Sequence, residues 1–235
     1  MKNWNLAAVS TVVLTSAWSA APAALVISTD STAPAGPFVY SQPVTTDDTD
    51  SFRTRTSDNT GRDLGQMFTT GTTNLQMGSF TLRMGSNNNI AGQNVTVRFG
   101  TITSDGGGNT FTFTPSLTTS ANLPGTLTSG DYMTFDVDDT LLAANTKYAF
   151  LIGLTTVTRT NRELNFLRRN VSAVAGDDRF FQTFSVSAGD PGTKSNIAFS
   201  RGTDRELQFW VNAIPEPGSV ALLALGGLIG LRRRR

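Results

Sequence analysis

Apolar and polar residues alternate along much of the chain. Leu207, Phe209 and Val211 share one side of an extended segment, and Gln208, Trp210 and Asn212 the other. Phe80, Leu82 and Met84 repeat the arrangement, as do Val95, Val97 and Phe99 against Thr96 and Arg98. A period of two is that of a strand with one face on a core and the other toward water, and such half-buried strands belong to antiparallel sheets. Between Ala24 and Ile214 hardly any stretch has apolar residues at helical spacing. Strands are expected at 66–70, 79–84, 95–102, 111–114, 132–137, 148–157, 163–167, 179–186, 197–200 and 206–212. The intervening clusters, such as Gly71-Thr72-Thr73-Asn74, Gly85-Ser86-Asn87-Asn88-Asn89 and Ser129-Gly130-Asp131, supply the positive-φ positions that reversals need. Many short strands with no repeat period predict an all-β fold, an antiparallel two-sheet jelly-roll-like sandwich.

The two ends break this pattern. Residues 1–23 have a basic start at Lys2, an apolar stretch from Leu6 to Ala17 and a small-residue run through Ala23 and Ala24. That order of parts is a secretory signal peptide, a helical segment removed by cleavage between Ala23 and Ala24. Residues 24–213 form the sandwich domain. Residues 214–235 begin Ile214-Pro215-Glu216-Pro217, continue with an apolar run from Val220 to Leu231 and end in Arg232, Arg233, Arg234 and Arg235. Pro215 and Pro217 fix φ and withhold backbone donors, which keeps the tripeptide extended and open to a protease. Twelve residues rise about 18 Å as a helix, short of a hydrocarbon core of about 30 Å, so the run is a provisional membrane segment. The four arginines hold its end in the cytoplasm and leave the domain on the far side.

Taken together, the Pro-Glu-Pro tripeptide, the short hydrophobic helix and the arginine cluster resemble the PEP-CTERM sorting signal. The resemblance implies recognition of Pro215, Glu216 and Pro217 by exosortase, a membrane protease-transferase of Gram-negative bacteria that make exopolysaccharide. It further implies export through the secretion translocon, transient insertion in the inner membrane, and release or attachment at the cell surface. A second resemblance lies within the domain. Gly65-Gln66-Met67-Phe68-Thr69-Thr70-Gly71, Ser79-Phe80-Thr81-Leu82-Arg83-Met84 and the run from Leu141 to Phe150 are similar to choice-of-anchor β-sandwich domains, a family with no activity to carry over.

Composition narrows the chemistry. The chain has no His and no Cys, which excludes Ser-His-Asp and Cys-His nucleophiles and ordinary zinc, haem and iron–sulfur sites. Between residues 24 and 214 there are 14 Lys plus Arg against 17 Asp plus Glu, a net charge of −3, with no electrostatic footprint for nucleic acid. Carboxylate chemistry survives. Glu163 and Glu206 are the only glutamates of the domain and Asp is plentiful, so a carboxylate pair for glycan hydrolysis is possible in principle, although the lack of His, the scarcity of Glu and the even scatter of Asp favour a non-catalytic module without a cofactor. Asp136, Asp138 and Asp139 crowd oxygens as a structural Ca²⁺ would require, and Asp47, Asp48 and Asp50, with Asp58 and Asp63, form looser acid groups. Arg159, Arg162, Arg168 and Arg169 bracket Phe166, a pattern suited either to acidic polysaccharide or to pairing with the domain's own acids. Trp210, the sole Trp after residue 23, either stacks on extracellular polysaccharide or caps a second layer.

Overall fold

The computed structural model describes residues 24–43, 48–54, 61–104, 110–156, 160–170, 180–185, 194–198 and 205–214. The signal segment, the sorting tail from Pro215 onward and the two helices expected there lie outside these residues, as do Asp47, Asp58 and Arg159. Among the described residues no helix is long and apolar enough to cross a membrane.

The described chain is all-β and antiparallel. In order, the strands are β1 (Val26–Asp30), β2 (Phe38–Gln42), β3 (Asp48–Thr54), β4 (Gly61–Thr69), β5 (Leu75–Asn88), β6 (Asn94–Ser104) and β7 (Thr110–Asn122), then β8 (Tyr132–Leu142), β9 (Lys147–Leu154), β10 (Arg162–Asn170), β11 (Phe180–Ser185), β12 (Lys194–Ala198), β13 (Arg205–Leu207) and β14 (Phe209–Ile214). They hydrogen-bond into one sheet with the order β1-β8-β5-β10-β3-β4-β9-β6-β7-β12, while β14 lies between β5 and β2, β11 pairs with β4 and β13 with β10. The long strand β5 is the joint: Leu75 to Arg83 pair with β8, whereas Met84, Asn87 and Asn88 pair with β10. The sheet curls there, so that the β5–β14–β2 part faces β4 and β9. Phe80 stacks on Phe150 at 4.3 Å, Phe209 meets Phe150 at 5.7 Å, and Tyr40 meets Phe68 at 6.0 Å. Each such ring buried from water stabilises the fold by about 1.5–3 kcal/mol, and a well-placed ring pair adds about 0.5–1.5 kcal/mol.

Several strands outrun their expected lengths, and in two of them the local reason is visible. β5 passes straight through Gly85-Ser86-Asn87-Asn88, expected as a turn, because Gly85 lets Thr49 and Asn165 come close: a Cβ there would lie 2.9 Å from Thr49 Cγ2. The reversal comes instead at Asn89 (φ 48°) and Gly92 (φ 71°). β7 continues beyond Thr114 through Pro115, since the register shifts between Phe99 and Gly100 where Pro115 arrives, and Gly100 has no Cβ to meet Thr114 O. A bulge is where a sheet tolerates proline.

Expected alternation holds on the inner face and fails as a rule for the outer one. Leu64, Phe68, Val95, Val97, Phe99, Phe150 and Ile152 fill the main core. The opposite face of the same strands is also buried, carrying a second apolar cluster of Met67, Ile102, Phe111, Phe113, Ala149 and Leu151.

Candidate functional site

The junction between domain and tail is the best defined candidate site. β14 is paired on both sides, with β2 through Phe209↔Gln42 and with β5 through to Ile214↔Gln76. A proline cannot donate to either ladder, so the strand stops one residue before Pro215. Ile214 is nonetheless held firmly: its Cδ1 lies 2.7 Å from where a Cβ on residue 78 would stand, a space left by Gly78 at the bulge between Met77 and Ser79.

Around this end the loops after β4 and β8 are knitted together. The Asn145 amide donates to Gly71 O at 2.8 Å and the Thr70 amide to Thr146 O at 3.1 Å. The Ala144 amide donates to Asn74 Oδ1 at 2.8 Å, and the Ala143 amide to the Tyr148 hydroxyl at 2.9 Å. Asn145 takes φ 50°, a value asparagine tolerates well. The segments 65–71 and 141–150 therefore meet: Gln66 pairs with Phe150 and Phe68 with Tyr148.

With that geometry in place, the comparison with protein families decides the tail. Residues 213–235 match the PEP-CTERM protein-sorting motif. The motif marks an exported chain processed by exosortase, with membrane-associated sorting on the way to an extracellular or surface location. Its first two residues, Ala213 and Ile214, are still part of the sheet. No curated protein and no solved structure matches the chain. Of the processing residues expected from sequence, Ala24 is described and exposed, whereas Ala23, Pro215, Glu216, Pro217 and Arg232 to Arg235 lie outside the described residues.

The candidates upstream of the PEP-CTERM motif are mostly drawn into the domain's own ion pairs. Glu206 is buried and receives the Tyr40 hydroxyl at 2.6 Å, Gln42 Nε2 at 2.8 Å and Arg169 Nη2 at 2.6 Å. Glu163 accepts the Ser51 hydroxyl at 2.5 Å and faces Arg53 at 3.6 Å. Arg168 bridges Asp48 and, at 2.8 Å, Asp50, which also meets Arg205 at 3.1 Å. Phe166 does not present a ring to solvent among arginines. β10 alternates so that Leu164 and Phe166 enter the core, where Phe166 packs 6.1 Å from Phe52, and the basic-aromatic surface is thereby excluded at this ring.

Asp136 and Asp139 are exposed on β8, with Asp138 in the same strand. Among the described residues no group of three or more carboxylates is gathered as an ion would need. Trp210 is 5% exposed and sets its ring edge-on to Tyr132 at 5.4 Å, over whose ring Arg83 lies at 5.5 Å. Beside them, Ser28, Asp30, Thr32, Tyr132 and Thr134 line a shallow cavity of about 330 Å³.

One pair escaped the sequence reading. Asp63 on β4 and Arg98 on β6 meet at 2.7 Å across the intervening strand β9, both side chains wholly buried. The pair passes over Gly153, where any Cβ would overlap Asp63 Oδ1. The available signal was the unbroken apolar run of β9, Tyr148-Ala149-Phe150-Leu151-Ile152, which marks a strand covered on both faces.

Proposed function

We propose that residues 24–214 form a non-catalytic structural or polysaccharide-associated module at the cell surface or in the extracellular matrix of a Gram-negative bacterium. The secretion translocon and an exosortase-type protease would be its export partners. The observation that supports this best is the engagement of both glutamates. Glycosidases hold two carboxyls about 5–9.5 Å apart across a cleft open to sugar and water. Glu206 is buried beneath Tyr40, Gln42 and Arg169, and Glu163 is engaged by Ser51 and Arg53. Both serve the sheet. In this reading the module needs no cofactor, and polysaccharide contact falls to the polar outer face near Trp210, where Ser28, Thr134, Asp30 and Tyr132 offer hydroxyls, a carboxylate and a ring. The architecture we infer is the two-layer jelly-roll-like sandwich, supported by the stacking of Phe80 on Phe150 across the curl.

Processing is tested by replacing Pro215, Glu216 and Pro217 with alanine. Full-length protein should then accumulate in the inner membrane, as judged by fractionation and intact mass; normal release would show that the tripeptide is not read. Incubation of the mature protein with the host exopolysaccharide should liberate no reducing sugar. Release that a single carboxylate-to-amide change abolishes would overturn the non-catalytic assignment.

A further inference from the structure

The end of the sheet that carries the tail also carries Leu141, the most exposed large apolar side chain among the described residues, while Val26 stands farther up the sheet, level with Asn212. β14 runs toward this end and β1 runs away from it, so the chain enters the domain at Val26 and leaves it at Ile214 on the same side of the molecule. Gln76 pairs with both Ile214 and Leu141, which places Leu141 two strands from the exit point, about 10 Å away. Leu141 is 66% exposed and Val26 58% exposed, and these are the large hydrophobics most open to solvent among the described residues.

Chain length brings that end to the bilayer. Five residues, Pro215 to Ser219, separate the last residue of β14 from the apolar run at Val220. Fully extended they span about 17 Å, and the headgroup layer itself takes up about 6 Å of that distance. The loops at this end fit a lipid surface: residues 70–77 and 140–147 contain no carboxylate and one cation, Lys147, in a domain whose net charge is −3, and the acids of β8, Asp136, Asp138 and Asp139, stand farther from the exit row. A cation is favoured and a carboxylate disfavoured near anionic headgroups. The hydrogen bonds between the 70–74 and 143–147 loops make this end a formed surface.

We infer that, before its tail is removed, the domain stands end-on upon the inner membrane, with Leu141 and its neighbouring loops seated in the lipid headgroup layer. The inference rests on the tail serving as a membrane segment. It places the exosortase cut against the folded sheet, with no spacer between Ile214 and the recognised tripeptide.

The chain has no cysteine, so single thiols report one position each. Precursor retaining residues 214–235 and carrying either Leu141→Cys or, at the opposite end, Ser129→Cys is labelled with an environment-sensitive fluorophore. It is then bound to phosphatidylethanolamine–phosphatidylglycerol vesicles bearing a headgroup nitroxide. The label at 141 should be quenched several-fold more than the label at 129, with a blue-shifted emission. Equal quenching at the two positions in protein that co-sediments with the vesicles would overturn the end-on seating alone. Failure to co-sediment would overturn the membrane role of the tail, and the seating with it.

Discussion

The strands β4, β9 and β6 and the strands β1, β8, β5 and β14 start from the same alternation and end in different surroundings. In the second group the inner face carries Phe80, Leu82, Met133 and Phe135, while the outer face grades from buried Trp210 and Thr81 through half-buried Thr134 and Tyr132 to exposed Asp136 and Ser28. In the first group both faces are covered. Leu64, Phe68, Phe99 and Phe150 lie inside, Met67, Ile102, Ala149 and Leu151 outside, and a complete ion pair sits among the latter. Alternation separates the two faces of a strand, but it does not say whether the second face will meet water. Where that face is covered, a charge must bring its partner with it.

The largest effect should follow from breaking that pair. Arg98→Met leaves Asp63 buried without its guanidinium and should lower stability by about 3–5 kcal/mol, read as the denaturant midpoint of the mature protein. Adding Asp63→Asn should recover most of the loss, because the uncompensated charge is then gone. A single-variant cost near zero would mean that water reaches this face. Next in size is Gly153→Ala, whose methyl overlaps Asp63 Oδ1 and should cost about 1–3 kcal/mol by displacing the carboxylate; unchanged thermal unfolding would show that the pair does not depend on the bare strand beneath it. Ser28→Ala, on the exposed face of β1, should change stability by no more than about 0.5 kcal/mol. A loss comparable to that of Gly153→Ala would show that the second region is covered as well and would erase the contrast.

Much of the strand pattern was legible because it rests on local chemistry. β6 and β8 follow directly from Val95-x-Val97-x-Phe99 and from Tyr132 to Val137, whereas the single strand expected at 206–212 divides at Gln208 into β13, which pairs with β10, and β14, which pairs with β5 and β2. β3 was not legible, because Asp48, Asp50 and Arg53 give it the composition of a loop; it pairs with β10 as a strand whose acids meet Arg168 and Arg205. The extension of β7 was hidden by Pro115, which reads as a stop until Gly100 opposite makes room for a bulge. Among the candidate site residues, Arg168 and Arg169 pair with the domain's own acids, one of the two alternatives their pattern allows. The partners, Asp48, Asp50 and Glu206, lie far away in sequence, and no spacing rule reaches them.

The sequence by itself determined the address of this protein. A tripeptide, an apolar run and an arginine cluster follow one another along a single segment, and that local pattern matches the PEP-CTERM protein-sorting motif with no fold required to read it. It also determined the all-β character, since a two-residue period is a property of the backbone. Only the tertiary structure decided which charges are buried and which residues stand beside Ile214. The pairing of Asp63 with Arg98 over Gly153, and the seating of Ile214 on Gly78 in the row that ends at Leu141, join residues tens of positions apart. Such contacts exist once strand order and register are fixed, and those are set by the summed packing of the whole core, which no single segment encodes.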